Sequence, residues 1–129
     1  MCLCGLTLEF QDCCEPLLQQ KITATHAESL MRSRYVAFIL KNFDYLILTH
    51  DPQTRQSFDL KTNVEWANTV KFTGLEIIHS EEVGNKGLVE FKAHFQDHST
   101  QVNHVHHEIS KFRKQSGLWY FREGKIKSP

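Results

Sequence analysis

Val89-Glu90-Phe91-Lys92-Ala93-His94-Phe95-Gln96 alternates apolar and polar side chains. A period of two belongs to a strand with one face on a core and one in water, so Leu88 to Gln96 is expected to be a half-buried strand with Val89, Phe91, Ala93 and Phe95 inward. Working outward, Gly84-Asn85-Lys86-Gly87 precedes it and Phe72 to Ser80 reads as the strand before that turn. Downstream, Gln101 to Arg113 reads as a long strand, and Gln115-Ser116-Gly117 turns into Leu118 to Arg122. Glycine-bearing turns between such runs mark hairpins. Upstream, the period changes. Leu30, Met31, Arg34, Tyr35, Phe38 and Ile39 recur at helical spacing within Ala27 to Lys41, with Thr25 as expected N-cap and Glu28 completing a capping box. Phe43 to Leu48 and Leu60 to Thr69 read as two further helices, the first stopped near Asp51-Pro52, the second turning Val64, Ala67 and either Val70 or Trp66 inward. Helices first and antiparallel strands afterwards make an α+β fold.

All four cysteines precede these elements, as Cys2-x-Cys4-x8-Cys13-Cys14. Four thiols gathered at one end of a 129-residue chain fit one closed tetrahedral site, and zinc is the expected metal. A disulfide pair is disfavoured because Met1-Cys2-Leu3-Cys4 has no basic start, apolar run or small-residue cleavage site; a cytoplasmic chain with reduced thiols is expected. A redox pair would ordinarily use Cys-x-x-Cys at a helix start, a spacing absent here. Inert thiols are the remaining alternative. The joint with the rest of the chain is expected between Glu15-Pro16 and His26.

A formal net charge of zero argues against a nucleic-acid-binding face, and no apolar run approaches the roughly 20 residues that span a bilayer.

Two resemblances add to this reading. Cys2-x-Cys4-Gly5, eight residues to the next cysteine, an aromatic at Phe10 and then Cys13-Cys14 is similar to the SEC-C motif, a short zinc-binding knuckle found at the C-terminus of the SecA translocation ATPase. The usual proline, Ser-Gly and lysine-rich filling is replaced by Leu3 and Leu6-Thr7-Leu8-Glu9. Over nearly the whole chain, Ser29-Leu30-Met31-Arg32-Ser33-Arg34-Tyr35-x-Ala37-Phe38, Tyr45-Leu46, Thr49-His50-x-Pro52, Gly74-Leu75, Glu108-x-Ser110-x-Phe112 and Gly117-x-Trp119-Tyr120 resemble the YchJ family, also called UPF0225. That resemblance implies a SEC-C-like knuckle at residues 1–20 and an NTF2-like domain at 21–129, in which a curved antiparallel sheet wraps the helices and encloses a cone. It supplies no established reaction, and it permits a homodimer through the sheet. Many relatives end in a second cysteine knuckle, whereas this sequence ends Lys127-Ser128-Pro129 without one.

Several residues outside the cysteines are candidates for a pocket. Arg34 falls within the apolar stripe of its helix, where a charge must be paired, line a solvated cavity, or reach backbone carbonyls. Arg32 falls on the opposite face and is expected in solvent. Glu108 and Ser110 share a strand face with His104 and His106, and Glu108 is the expected partner of Arg34. His107 takes the other face. The cluster His104-x-His106-His107 is expected at the surface rather than as a second metal site, since the two-histidine zinc-protease motif is absent. His50 is expected to end the second helix and edge the cavity, and Tyr35 and Trp66 to line it.

Two functions compete. A binding module would use the knuckle to dock a protein partner and the cone to hold a small molecule. An NTF2-like enzyme (isomerase, dehydratase or hydrolase) would use a pocket around Arg34, Glu108 and His50. The binding module is preferred, because four cysteines leave no open position on the metal for activated water and no nucleophile-plus-base pattern appears.

Overall fold

The fold is a computed structural model that describes residues 1–127; the terminal Ser128-Pro129 lie outside the described residues. After a 3-10 turn at Phe10–Asp12 come helices α1 (Glu15–Leu18), α2 (Ala27–Leu40), α3 (Phe43–Leu48) and α4 (Leu60–Thr69). Strands β1 (Val70–Val83), β2 (Lys86–Asp97), β3 (Asn103–Gln115) and β4 (Leu118–Ile126) follow. They form one antiparallel meander in the order β1-β2-β3-β4. The strands outrun their sequence-predicted ends because the hairpin turns shrink to two residues, with Val83 opposite Lys86 and Gln115 opposite Leu118.

The sheet bends at three irregularities, at Phe72/Gly74 and Ile77/His79 in β1 and at Lys111/Phe112 against β4. An extra residue on one strand locally kinks and twists it, which curls the sheet around α2. Val89, Phe91 and Ala93 pack inward with Phe112 and Trp119, against Ala27, Leu30, Met31, Val36 and Ala37 of α2. The alternation in β2 and the helical stripe of α2 are therefore two sides of one core.

The N-terminal segment joins that core. Cys2, Cys4 and Cys14 are buried in the same cluster as Leu17, Leu18 and Met31, so the segment expected as a joint carries a short helix that packs. Arg32 is not in open solvent. Its Nη1 donates to the carbonyl of Cys4 at 2.7 Å and its Nε to Glu28 at 3.0 Å, fixing the knuckle to α2.

The start of α2 also differs from expectation. Its N-cap is His26, in extended conformation, without a side-chain cap bond. Instead the Ala27 N–H donates to Glu82 at 2.7 Å, from the end of β1. An orphan helix donor accepts any carboxylate in range; here one 55 residues away in sequence replaces the local capping box, because Glu28 is drawn to Arg32. The later helices are capped locally, by Asn42 accepting from Tyr45 N–H at 3.2 Å and Asp59 from Thr62 N–H at 3.1 Å.

Past α3 the chain runs beside β4. The Phe121 N–H donates to Thr49 O at 2.8 Å and the Asp51 N–H to Phe121 O at 2.7 Å, so His50 pairs with Phe121 as a parallel bridge. Asp51 has 0% exposure and sits among arginines: Arg113 donates through Nε and Nη2 at 2.8 and 2.9 Å, and Arg122 through Nη1 at 3.0 Å. The irregularity in β4 falls at Arg122, whose freed carbonyl accepts from Thr54 at 2.7 Å. Burial alone would raise the Asp51 carboxyl, but its hydrogen bonds from Arg113, Gln53 N–H and Arg122 hold it below the usual carboxylate range.

Candidate functional site

The four sulfurs of Cys2, Cys4, Cys13 and Cys14 lie within 4.8 Å of one another. Cys4 and Cys13 sulfurs are 3.6 Å apart, and those of Cys13 and Cys14 are 4.0 Å apart. A tetrahedral tetrathiolate with metal–sulfur bonds of about 2.3 Å has sulfurs about 3.8 Å apart, close to the 3.6 and 4.0 Å seen here, so the donor set fits a metal. Local backbone produces it. Gly5 N–H closes a turn on Cys2 O at 3.1 Å, with Gly5 at φ +97°, a region a side chain resists. Cys13 closes the 3-10 turn and Cys14 is the N-cap of α1. A hydrogen bond from Cys14 outweighs burial and brings the Cys4 thiol down to about 5, whereas burial and the neighbouring sulfurs push Cys13 up to about 12. Cys14 is likewise raised, chiefly by its hydrogen bond to Cys4. One thiolate forms readily here; four together require a cation among them.

The second site is a cavity of about 640 Å³ between the concave face of the sheet and helices α2 and α4. Arg34, Tyr35, His50, Trp66, Glu108 and Ser110, the six pocket residues expected from sequence, all line it. Its apolar wall is aromatic: Trp66 lies edge-on to Phe72, Phe95 and Phe38, with ring centroids 5.1, 5.5 and 5.8 Å away. Burial pushes the Tyr35 phenol up to about 12.

Arg34, 7% exposed, is not directly paired with Glu108. Its Nη1 donates to Leu46 O at 2.8 Å and Thr49 Oγ1 at 2.6 Å, and its guanidinium lies 4.6 Å from the Phe121 ring centre. The Leu46 carbonyl in the last turn of α3 and the hydroxyl of its C-cap Thr49 took the role expected of the carboxylate, because α3 ends beside Arg34. Burial brings the guanidinium down to about 10, still charged at neutral pH.

Glu108 is held instead by its own strand. His106 lies 2.8 Å away through Nε2, and the Ser110 hydroxyl donates to the other oxygen. Burial would raise Glu108, but these two bonds and the charge of Arg34 leave it lowered and ionised. His106 therefore lines the cavity rather than the outer surface, against the expectation for the histidine cluster. His104 stacks on Phe95 at 5.3 Å, and His107 faces outward to Glu90 at 2.7 Å. Among the described residues the four cysteines alone group as metal ligands.

His50 is 3% exposed, and burial, then Arg34 and Arg55, bring it down to about 4. It is neutral at pH 7. Thr54 spends its proton on Arg122 O, so Thr54 Oγ1 accepts from His50 Nε2, 3.1 Å away. That leaves His50 Nδ1 a buried acceptor without a partner among the described residues.

The carboxylate of Glu108 lies flat over Gly124 of β4, where a Cβ would stand 2.6 Å from the carboxyl carbon. Sequence reading missed Gly124, whose role depends on a cross-strand neighbour. Gly124→Ala is expected to push Glu108 off Ser110 and His106, at about 1 kcal/mol per lost hydrogen bond. Thermal melting and the His106 ring resonances check it; unchanged resonances would contradict the placement.

The family profile described as "YchJ, middle NTF2-like domain" matches residues 26–124. The chain belongs to the YchJ family. A UPF0225 protein of Geobacter sulfurreducens is 40% identical over 96% of this chain and 78% of its own length. A SEC-C motif containing protein from Rhodopseudomonas palustris, solved in solution, superposes with a TM-score of 0.91 at 43% identity, covering 98% of each chain. A sec-c motif containing protein from Psychrobacter arcticus gives 0.80 at 31% identity, over 97% of this chain and 76% of its own. The YchJ membership fixes the NTF2-like fold, and the likeness to SEC-C proteins includes the cysteine segment. Among the described residues of this YchJ-family chain, no helix is long and apolar enough to cross a membrane.

Proposed function

We propose that the chain is a zinc-closed binding module. Residues 1–20 form a tetrathiolate knuckle, and the unit at 21–129 presents the cone as a receptacle for a small ligand. The observation that carries this is the complete set of four sulfurs within 4.8 Å. With every position filled by protein the metal is structural, and no water is activated on it. Function then falls to the cavity, whose size and aromatic wall facing a set of polar and charged groups are those of a ligand site. Leu3 and Leu8, about half exposed on the knuckle, offer an apolar contact to a protein partner, as the SEC-C likeness suggests. Reduced thiols accord with a cytoplasmic setting.

One observation favours an enzyme as second reading. His106 is oriented by ionised Glu108 inside an aromatic cavity, the arrangement of a general base and its positioning carboxylate. Elemental analysis of protein purified without a metal-affinity tag tests the zinc reading. One zinc per chain, absent from Cys14→Ser, is the expected result. Four titratable thiols and no metal would overturn it and bring redox chemistry forward.

A further inference from the structure

Among the described residues Arg34 is the charged group of the cavity that is buried and yet keeps hydrogen-bonding capacity unused; Arg122 and Glu123 also line the cavity but are partly exposed. A guanidinium carries five N–H donors. Nη1 spends both of its donors on Leu46 O and Thr49 Oγ1. Nε and Nη2 donate to none of the described residues. Neither is sealed off, since His50 Nδ1 alone is both fully covered and without a partner among them. The residue is more than nine-tenths buried and lines the cavity. A buried cation without a bonded anion is costly, and the free edge of a guanidinium matches a carboxylate bidentately.

We propose that the cone binds a small monocarboxylic acid with an aromatic or apolar body, its carboxylate on Nε and Nη2 of Arg34. This deepens the binding-module reading and rests on it. Three features set the ligand class. The wall of Phe38, Trp66, Phe72 and Phe95 takes a flat apolar body. Three carboxylates (Asp59, Glu108 and Glu123) line the cavity against two guanidiniums (Arg34 and Arg122), so with Arg34 taken by the first carboxylate a second negative group meets more like charge than unlike; dicarboxylates and phosphates are disfavoured. His106 gives its Nε2 proton to Glu108 and in its neutral form leaves Nδ1 as an acceptor, so a hydroxyl or amine on the body gains a partner.

The test titrates the full-length protein with three probes of one shape: 3-phenylpropionate, its neutral amide, and benzylmalonate. Binding is followed by amide NMR shifts of α2, α4 and the concave strands and by Trp66 fluorescence. The acid is expected to bind at least about 10-fold more tightly than the amide or the dicarboxylate, the factor that about 1.4 kcal/mol supplies. The Arg34→Gln variant is expected to remove the preference for the acid, so that acid and amide bind it alike. Should that variant not fold, acid against amide on the unaltered protein decides alone. Equal binding of acid and amide in the cavity would overturn the assignment to Arg34 and leave the binding module standing. No probe shifting any cavity resonance would overturn both.

Discussion

Replacing Arg113 with methionine is expected to lower stability by about 1.5–3 kcal/mol, the contribution of hydrogen bonding to a charged group. Asp51 has no exposed surface and takes two of its hydrogen bonds from this one guanidinium. Methionine leaves the carboxylate with Arg122 and the Gln53 N–H, still out of water. The converse change, Asp51→Asn, should cost less. The side chains of Arg113 and Arg122 are 25% and 38% exposed, so the released guanidiniums can turn to solvent. Urea denaturation of both variants checks the order; a larger loss in Asp51→Asn would contradict it. The pH dependence has a definite sign. Asp51 is lowered in the folded state, so its contribution is fully present above its unfolded value of about 3.9 and is lost as pH falls through the folded value. The gap between the natural chain and Arg113→Met should thus be widest above about pH 5 and close in acid.

The second large effect follows from removing the metal of the zinc reading. A structural zinc site contributes about 10–16 kcal/mol of apparent binding energy in isolated fingers, so Cys13→Ser or chelation should melt residues 1–20. If those residues formed an independent unit, the cone would be untouched. The shared core argues otherwise. Leu17 and Leu18 lie in one cluster with Met31 and the cysteines, and Arg32 reaches the Cys4 carbonyl. Uncovering two buried leucines costs about 1.5–3 kcal/mol each, so the melting temperature of the sheet should drop as well. Hydrogen exchange in α2 and β2 reports this. Sheet protection unchanged on chelation would establish two separate units.

The fold was legible where the signal was periodic. The stripe of α2 and the alternation of β2 name the core residues, since each period determines which side chains meet. The cysteine spacing pointed to four sulfurs that do converge. What stayed hidden was long-range and polar. Glu82 caps a helix 55 residues away. Asp51 meets arginines 62 and 71 positions on. Arg34 stood out as a charge on an apolar face, and a backbone carbonyl was among its expected partners, but which carbonyl it meets carries no mark in sequence, and the carboxylate named for it, Glu108, is bonded elsewhere. Arg32 misled for the same reason: its partner is the Cys4 carbonyl, 28 positions away in sequence.

The parallel run of residues 49–51 along β4 bears on how copies of this molecule can associate. A sheet edge with bare N–H and C=O groups invites pairing with another chain. Here the outer rim of β4 is occupied at Phe121 by the Thr49 and Asp51 backbone. At the opposite rim β1 is broken by two bulges and carries Glu76, Glu81 and Glu82, both features that discourage a flush neighbour. Growth strand upon strand into fibres is therefore disfavoured at both rims of the meander. Concentrating this protein should yield discrete, reversible contacts through faces and side chains rather than continuous sheets.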